Sequence, residues 1–398
     1  MKKQSKITCQ ALITAGLLTL ITGCSHIEKR HIPEENKPVL STKLNIYQPT
    51  TIIVPVTISG KKYQFLLDTG ASYTFIDNEL AKTLTEITPE SNIPVTFHHM
   101  LSDGLITTSE KRLHKDELTL WQPLAITIGN YSVPASDPWI GIDMNLFNQS
   151  IGQKLDGILG IDTFRQLNWE VNNLNHTLTI WRHAPSILNY QQCEPYSDSY
   201  GKSPAIQVSN VIFNIDTGAD YSYVSQEFIE YLKKDHKDKI SEGINVKYAS
   251  ASGLASGKEY LIDGFYLQQL PVGRLRVSEN KNDQYYLGMS FLSRFDDYLF
   301  IPNKMLLCFN AKNFTRYDSK LLRTIAVRYF NNKVEIFYNE PKDIEKFGLK
   351  NGDIVLEVNS QKVLPEDITY LRNQLSETPS GKLTIKIERN GAQQVINI

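Results

Sequence analysis

A charge bias is missing from this chain. Its 398 residues carry 42 Lys and Arg against 43 Asp and Glu, a formal net charge of -1. Without a basic field there is no electrostatic case for binding nucleic acid. Cysteine is scarce, four residues in all, too few for a fold held mainly by disulfides. No Cys/His spacing suits zinc, and the string His-Glu-x-x-His does not occur. His98-His99 is the one local histidine concentration, and it reads as a solvated strand or loop. A Gly-x-Ser-x-Gly elbow is absent too, so a serine hydrolase has no support. Nothing in the sequence calls for a metal or a cofactor.

Long apolar runs are also lacking. The first apolar stretch, residues 11–22, follows Lys2, Lys3 and Lys6. It is too short to span a bilayer, which takes about 20 residues, and is placed as the core of a signal peptide. It ends in Ile21-Thr22-Gly23-Cys24, a string that resembles the lipobox of bacterial lipoproteins. The resemblance implies a signal peptide over 1–23, acylation of Cys24 and a lipid anchor in the cell envelope. Two or more acyl chains hold firmly, since each buried methylene contributes roughly 0.8 kcal/mol. Ser25 resembles a sorting signal for the periplasmic face of the outer membrane, in a cell that has one. The plainer alternative is an ordinary signal peptide with a chance Cys. Residues 24–46 carry charges, Pro33 and Pro38, and no hydrophobic period, and are expected to be a flexible tether. Beyond Cys9 and Cys24, Cys193 and Cys308 remain, and the sequence leaves open whether they pair.

What is present is a repeat. Ile52-Ile53-Val54-Pro55-Val56-Thr57-Ile58 is β-branched, Ser59-Gly60 turns the chain, and Phe65-Leu66-Leu67 runs into Asp68-Thr69-Gly70-Ala71-Ser72. Later Ala205-Ile206-Gln207-Val208 and Val211-Ile212-Phe213-Asn214-Ile215 lead into Asp216-Thr217-Gly218-Ala219-Asp220. A second pair follows, Gly157-Ile158-Leu159-Gly160 and Tyr285-Tyr286-Leu287-Gly288. The acids lie 148 positions apart and the closing glycines 128, so the first copy holds about 20 extra residues. Residues 139–154 are a good place for much of them.

Two acids on matched tight turns suit one chemistry in particular. Hydrolysing an amide without a metal or a nucleophilic side chain takes a base for water and an acid for the carbonyl oxygen. Two carboxylates sharing a proton supply both, because like charges about 3 Å apart do not both ionise. Gly70 and Gly218 permit close backbone approach, and the hydroxyls of Thr69 and Thr217 can lock two turns together. These motifs resemble those of retropepsin-type aspartic proteases, over about residues 47–310, with two copies fused in one chain. The resemblance implies a mainly β, bilobal unit in which one chain completes one active site on a polypeptide substrate. Asp68 and Asp216 would be its catalytic pair, and Thr69, Gly70, Thr217 and Gly218 its support. Asp220 stands where that family places an acid near the substrate backbone; Ser72 takes the matching place in the first copy. Ser102-Asp103-Gly104 suits a hairpin tip over the first lobe, and residues 250–257 a mobile flap over the second.

The last region differs. Phe347-Gly348-Leu349-Lys350-Asn351-Gly352-Asp353 precedes an apolar strand, 367–376 reads as a helix with Ile368, Leu371 and Leu375 on one face, and Arg389-Asn390-Gly391 makes a hairpin turn. Residues 321–398 resemble a PDZ domain, a small α+β unit. The resemblance implies a groove that takes a peptide C-terminus as an added strand. The expected organisation is a signal at 1–23, a tether at 24–46, lobe one at 47–183, a linker at 184–200, lobe two at 201–318 and the PDZ-like domain at 319–398. The leading functional expectation is a membrane-anchored aspartic endopeptidase. The alternative is a non-catalytic peptide-binding scaffold that keeps the protease fold.

Overall fold

The computed structural model describes residues 37–44, 51–107, 111–134, 137–198, 202–280, 284–312 and 314–398. The signal segment and Cys24 lie outside the described residues. The fold is mainly β. In the first large sheet, strand Ile53–Ile58 buries Val54, Val56 and Ile58 on alternate positions, as a half-covered strand must. It pairs with Lys61–Leu67, whose last three residues are all buried. Gly157–Leu159 then threads between two earlier strands, parallel to Lys61–Leu67 and antiparallel to Phe75–Asp77. The second large sheet repeats this motif. Tyr286–Leu287 lies parallel to Val211–Ile215 and antiparallel to Ser222–Ser225.

A third sheet joins the two halves. Its order is Leu40–Lys43, Thr177–Trp181, Asn168–Asn172, Asp297–Ile301, Leu306–Asn310 and Gln192–Pro195. Asn168–Asn172 from the first half pairs directly with Asp297–Ile301 from the second. One continuous apolar core runs beneath all three sheets, from Val54 and Phe65 through Trp169 and Phe300 to Phe213 and Ile215. Cys193 and Cys308 face each other across two strands of the joining sheet and form a disulfide, with 3.9 Å between their Cα atoms.

The structure corrects several expectations. The tether does not reach residue 46, because Leu40–Lys43 is a strand at the edge of the joining sheet. The stretch read as a linker, 184–200, contributes Gln192–Pro195 to that sheet. His98 and His99 lie in helix Val95–Asp103. Ser102-Asp103-Gly104 ends that helix and is no hairpin tip; Gly104, at φ 82°, caps it. Residues 139–154 hold helix Asn145–Ile151. Ile142 pairs with Asp77 as Asn280 pairs with Ser225, which fixes how the copies correspond. Fourteen residues follow Ile142 before Gly157 and four follow Asn280 before Tyr285, so this stretch holds about half of the extra length.

The C-terminal unit has its own core, built on Ile336, Leu349, Ile368, Leu375 and Ile385. Its main sheet runs Val327–Phe330, Lys333–Ile336, Ile354–Val358, Thr384–Arg389 and Ala392–Asn397. Helix Ile368–Glu377 buries Ile368, Leu371 and Leu375 against it.

Candidate active site

Each acid stands where an apolar strand runs out into a tight turn. Asp68 Oδ1 accepts from the backbone N–H groups of Gly70 (2.8 Å) and Ala71 (3.1 Å). Asp216 Oδ1 accepts from Gly218 (2.9 Å) and Ala219 (3.1 Å) in the same way. The N–H of Asp68 donates to Leu159 O and that of Asp216 to Leu287 O, both at 3.0 Å. The threaded strands therefore fix each acid from behind.

The two turns interlock. Thr69 Oγ1 donates to Ile215 O (2.6 Å) and accepts from Thr217 N–H (3.1 Å). Thr217 Oγ1 donates to Leu67 O (2.8 Å) and accepts from Thr69 N–H (3.1 Å). Both threonines are fully buried, where four hydrogen bonds without water competition hold geometry tightly. The glycines make the approach possible. A Cβ on Gly70 would stand 2.6 Å from the carboxyl carbon of Asp216, and one on Gly218 would stand 2.3 Å from that of Asp68. Any side chain at either place would push the acids apart.

Each carboxyl group is set against the turn glycine of the other lobe, and each shifts the titration of the other. Burial, then the negative charge of Asp68, raises the Asp216 carboxyl well above the usual carboxylate range. Burial raises Asp68 as well, opposed by the neighbouring Asp216 and by the bonds it accepts from Gly70 and Ala71. The pair therefore keeps a proton at a pH where free carboxylic acids have lost theirs. The arrangement can hold one acid and one base side by side.

The copies differ around this pair. In lobe one the paired positions beside the turn are Phe75 and Ile158, inside an apolar cluster with Leu66, Phe97 and Ile140. In lobe two the corresponding positions are Tyr223 and Tyr286, also paired. Burial and the nearby Asp216 and Asp68 charges push the Tyr286 hydroxyl up to about 12. The Tyr223 hydroxyl is raised too, by burial, then by Tyr248, Asp216 and Asp220. Sequence reasoning passed over these tyrosines, although sliding one copy over the other at the two offsets singles them out. Ser72 and Asp220 close the two turns at matching places, both half-buried.

A long hairpin, Ile240–Ser250 and Gly253–Leu267, rises from lobe two. Its turn falls within residues 250–257, where Ser250 Oγ donates to Gly253 O at 2.9 Å. Ser252 at the tip meets Thr107 of lobe one, hydroxyl to hydroxyl, at 2.8 Å. The two lobes thus touch away from the acid pair as well as at it. Among the described residues no cluster of His, Cys, Asp and Glu could hold a metal ion, and no helix is long and apolar enough to cross a membrane.

No curated protein matches this chain. A family model does: residues 54–163, which hold the first acid turn and its threaded strand, match that of the aspartyl proteases.

Proposed function

We propose that the chain is an aspartic endopeptidase with Asp68 and Asp216 as its catalytic pair, anchored to the cell envelope through lipid on Cys24. The observation that carries this reading is the pairing of two carboxyl groups, Asp216 buried and Asp68 half-buried, each against the other lobe's glycine on interlocked turns. The ionised member takes a proton from a water molecule held between the acids, and the water oxygen attacks the scissile carbonyl carbon. The protonated member gives its proton to the carbonyl oxygen, forming a neutral tetrahedral diol. Collapse of the diol breaks the C–N bond, with a proton passed to the leaving amine. Ser72 and Asp220 bind substrate main chain at the two sides, unequally because only one is charged. The C-terminal domain works as a PDZ-like peptide binder.

The test is cleavage of a mixed peptide library between about pH 4 and pH 7, read by mass spectrometry for wild type, Asp68→Asn and Asp216→Asn. Cuts made by wild type and lost in both variants support the reading. Cuts retained by either variant contradict a shared pair. A wild type that cuts nothing, while a cellular role survives both substitutions, favours the scaffold.

A further inference from the structure

The C-terminal domain lies against both lobes. Buried Arg276 of lobe two donates to Ser319 O at 2.6 Å and to Glu377 Oε1 at 2.7 Å. Contacts also reach the long hairpin: Lys247 Nζ donates to Tyr338 O at 2.7 Å and pairs with Glu340 at 3.6 Å, and Thr324 Oγ1 donates to Asn245 O at 2.9 Å. Arg372, on helix Ile368–Glu377, is within electrostatic reach of Asp220 and Tyr221. On lobe one, helix Asn145–Ile151 runs beside strand Val327–Phe330 and touches helix Ile368–Glu377. The Tyr338 hydroxyl donates to Gln149 Oε1 at 2.7 Å. At the end of that helix, a Cβ on Gly152 would stand 1.9 Å from Pro365 O.

The position of this short helix is informative. Strand Val327–Phe330 ends the order of its sheet, pairing with Lys333–Ile336 on one side. Among the described residues no strand pairs with its other edge. A strand edge presents main-chain donors and acceptors in a row, and a helix cannot match them because its own are spent internally. Arg372 Nη2 meets one of them, Val327 O, at 3.2 Å. The occupant that suits this edge is an extended polypeptide, which adds a strand. Helix Asn145–Ile151 belongs to the extra length of lobe one, so the chain carries a dedicated segment in this place.

We propose that helix Asn145–Ile151 is a removable occupant of a peptide site on the C-terminal domain, and that an extended peptide adding to strand Val327–Phe330 displaces it. In the occupied state the helix, which also touches Ile240–Ser250, and the domain, through Asn245 and Lys247, together latch the lobe-two hairpin. Displacement unlatches the hairpin. The effect on cleavage rests on the endopeptidase reading; the displacement itself does not.

Amide hydrogen exchange separates the two. It is followed in the full chain carrying Asp216→Asn, with and without a pool of ten-residue peptides bearing free carboxyl termini. Gly152→Asn serves as a wedge, because asparagine accepts the left-handed backbone (φ 81°) while adding atoms where Pro365 O stands. Glu377→Ala, which removes a partner of Arg276, is the second variant should the wedge disturb exchange in Asp297–Ile301 of the joining sheet. Peptide or wedge is expected to speed exchange in Ile240–Ser250 about threefold or more, leaving the joining sheet unchanged. In the chain with both acids intact, the same treatments are expected to raise kcat/KM on a protein substrate by a similar factor. Exchange in the hairpin unmoved by peptide and by both variants overturns the latch. Faster exchange with no cleavage by any form sustains the latch and defeats the endopeptidase reading.

Discussion

Two buried hydroxyls carry the registration of the acid pair. Thr69→Val keeps the shape but leaves Ile215 O and Thr217 N–H without their partners. Each buried group left unpaired costs about 1–3 kcal/mol. The variant is expected to lose a few kcal/mol in urea unfolding and, through loosened acids, at least about tenfold in kcat. Thr217→Val should match it by symmetry, and Thr69→Ser should recover most of both. Glu259 gives a pH signature elsewhere. Burial pushes its carboxyl up to about 7, with Arg276 opposing and Glu377 and Asp318 adding to the rise. The folded chain then holds this proton more tightly than the unfolded one, whose carboxyl titrates near 4.5. Its contribution to stability is therefore full below about pH 4.5, is lost as pH rises toward 7, and is constant above, a span of about 3 kcal/mol. Melting temperature against pH is expected to lose this slope in Glu259→Gln.

Elements show what a sequence carries and what it hides. The strands leading to Asp68 and Asp216 were legible because β-branched and apolar runs ending in Asp-Thr-Gly state both the strand and its turn. Helix Ile368–Glu377 was legible from Ile368, Leu371 and Leu375 on one face. Strand Leu40–Lys43 was not, since it has four residues, none of them fully buried, and its partner Thr177–Trp181 is far along the chain. Ser102-Asp103-Gly104 suits a hairpin tip in the sequence, yet ends a helix in the fold, because Asp-Gly serves a β-turn and a helix end equally well. The tyrosines beside the acids were hidden by their neighbours, since nothing local marks Tyr223 or Tyr286 apart from other strand residues. The joining sheet also carries a prediction. Its disulfide closes a separation of 115 residues, and long loops gain most from closure. Replacing Cys193 and Cys308 with serine is expected to cost about 2–4 kcal/mol in urea unfolding, with the fold retained, because a continuous core spans both lobes.

For the whole molecule, one chain supplies what the acid pair needs. Both turns, both threaded strands and the joining sheet come from the same polypeptide, and each lobe's glycine leaves space for the other lobe's acid. Such a pair acts as a unit, so removing one member and removing both should cost alike. The decisive measurement is kcat/KM on one cleaved peptide for Asp68→Asn, Asp216→Asn and the double variant, with folding checked by unfolding in urea. Each single substitution is expected to lower the rate by about a thousandfold or more, and the double variant to fall no further. A single variant that keeps substantial activity, or losses that multiply in the double variant, would contradict a shared catalytic pair.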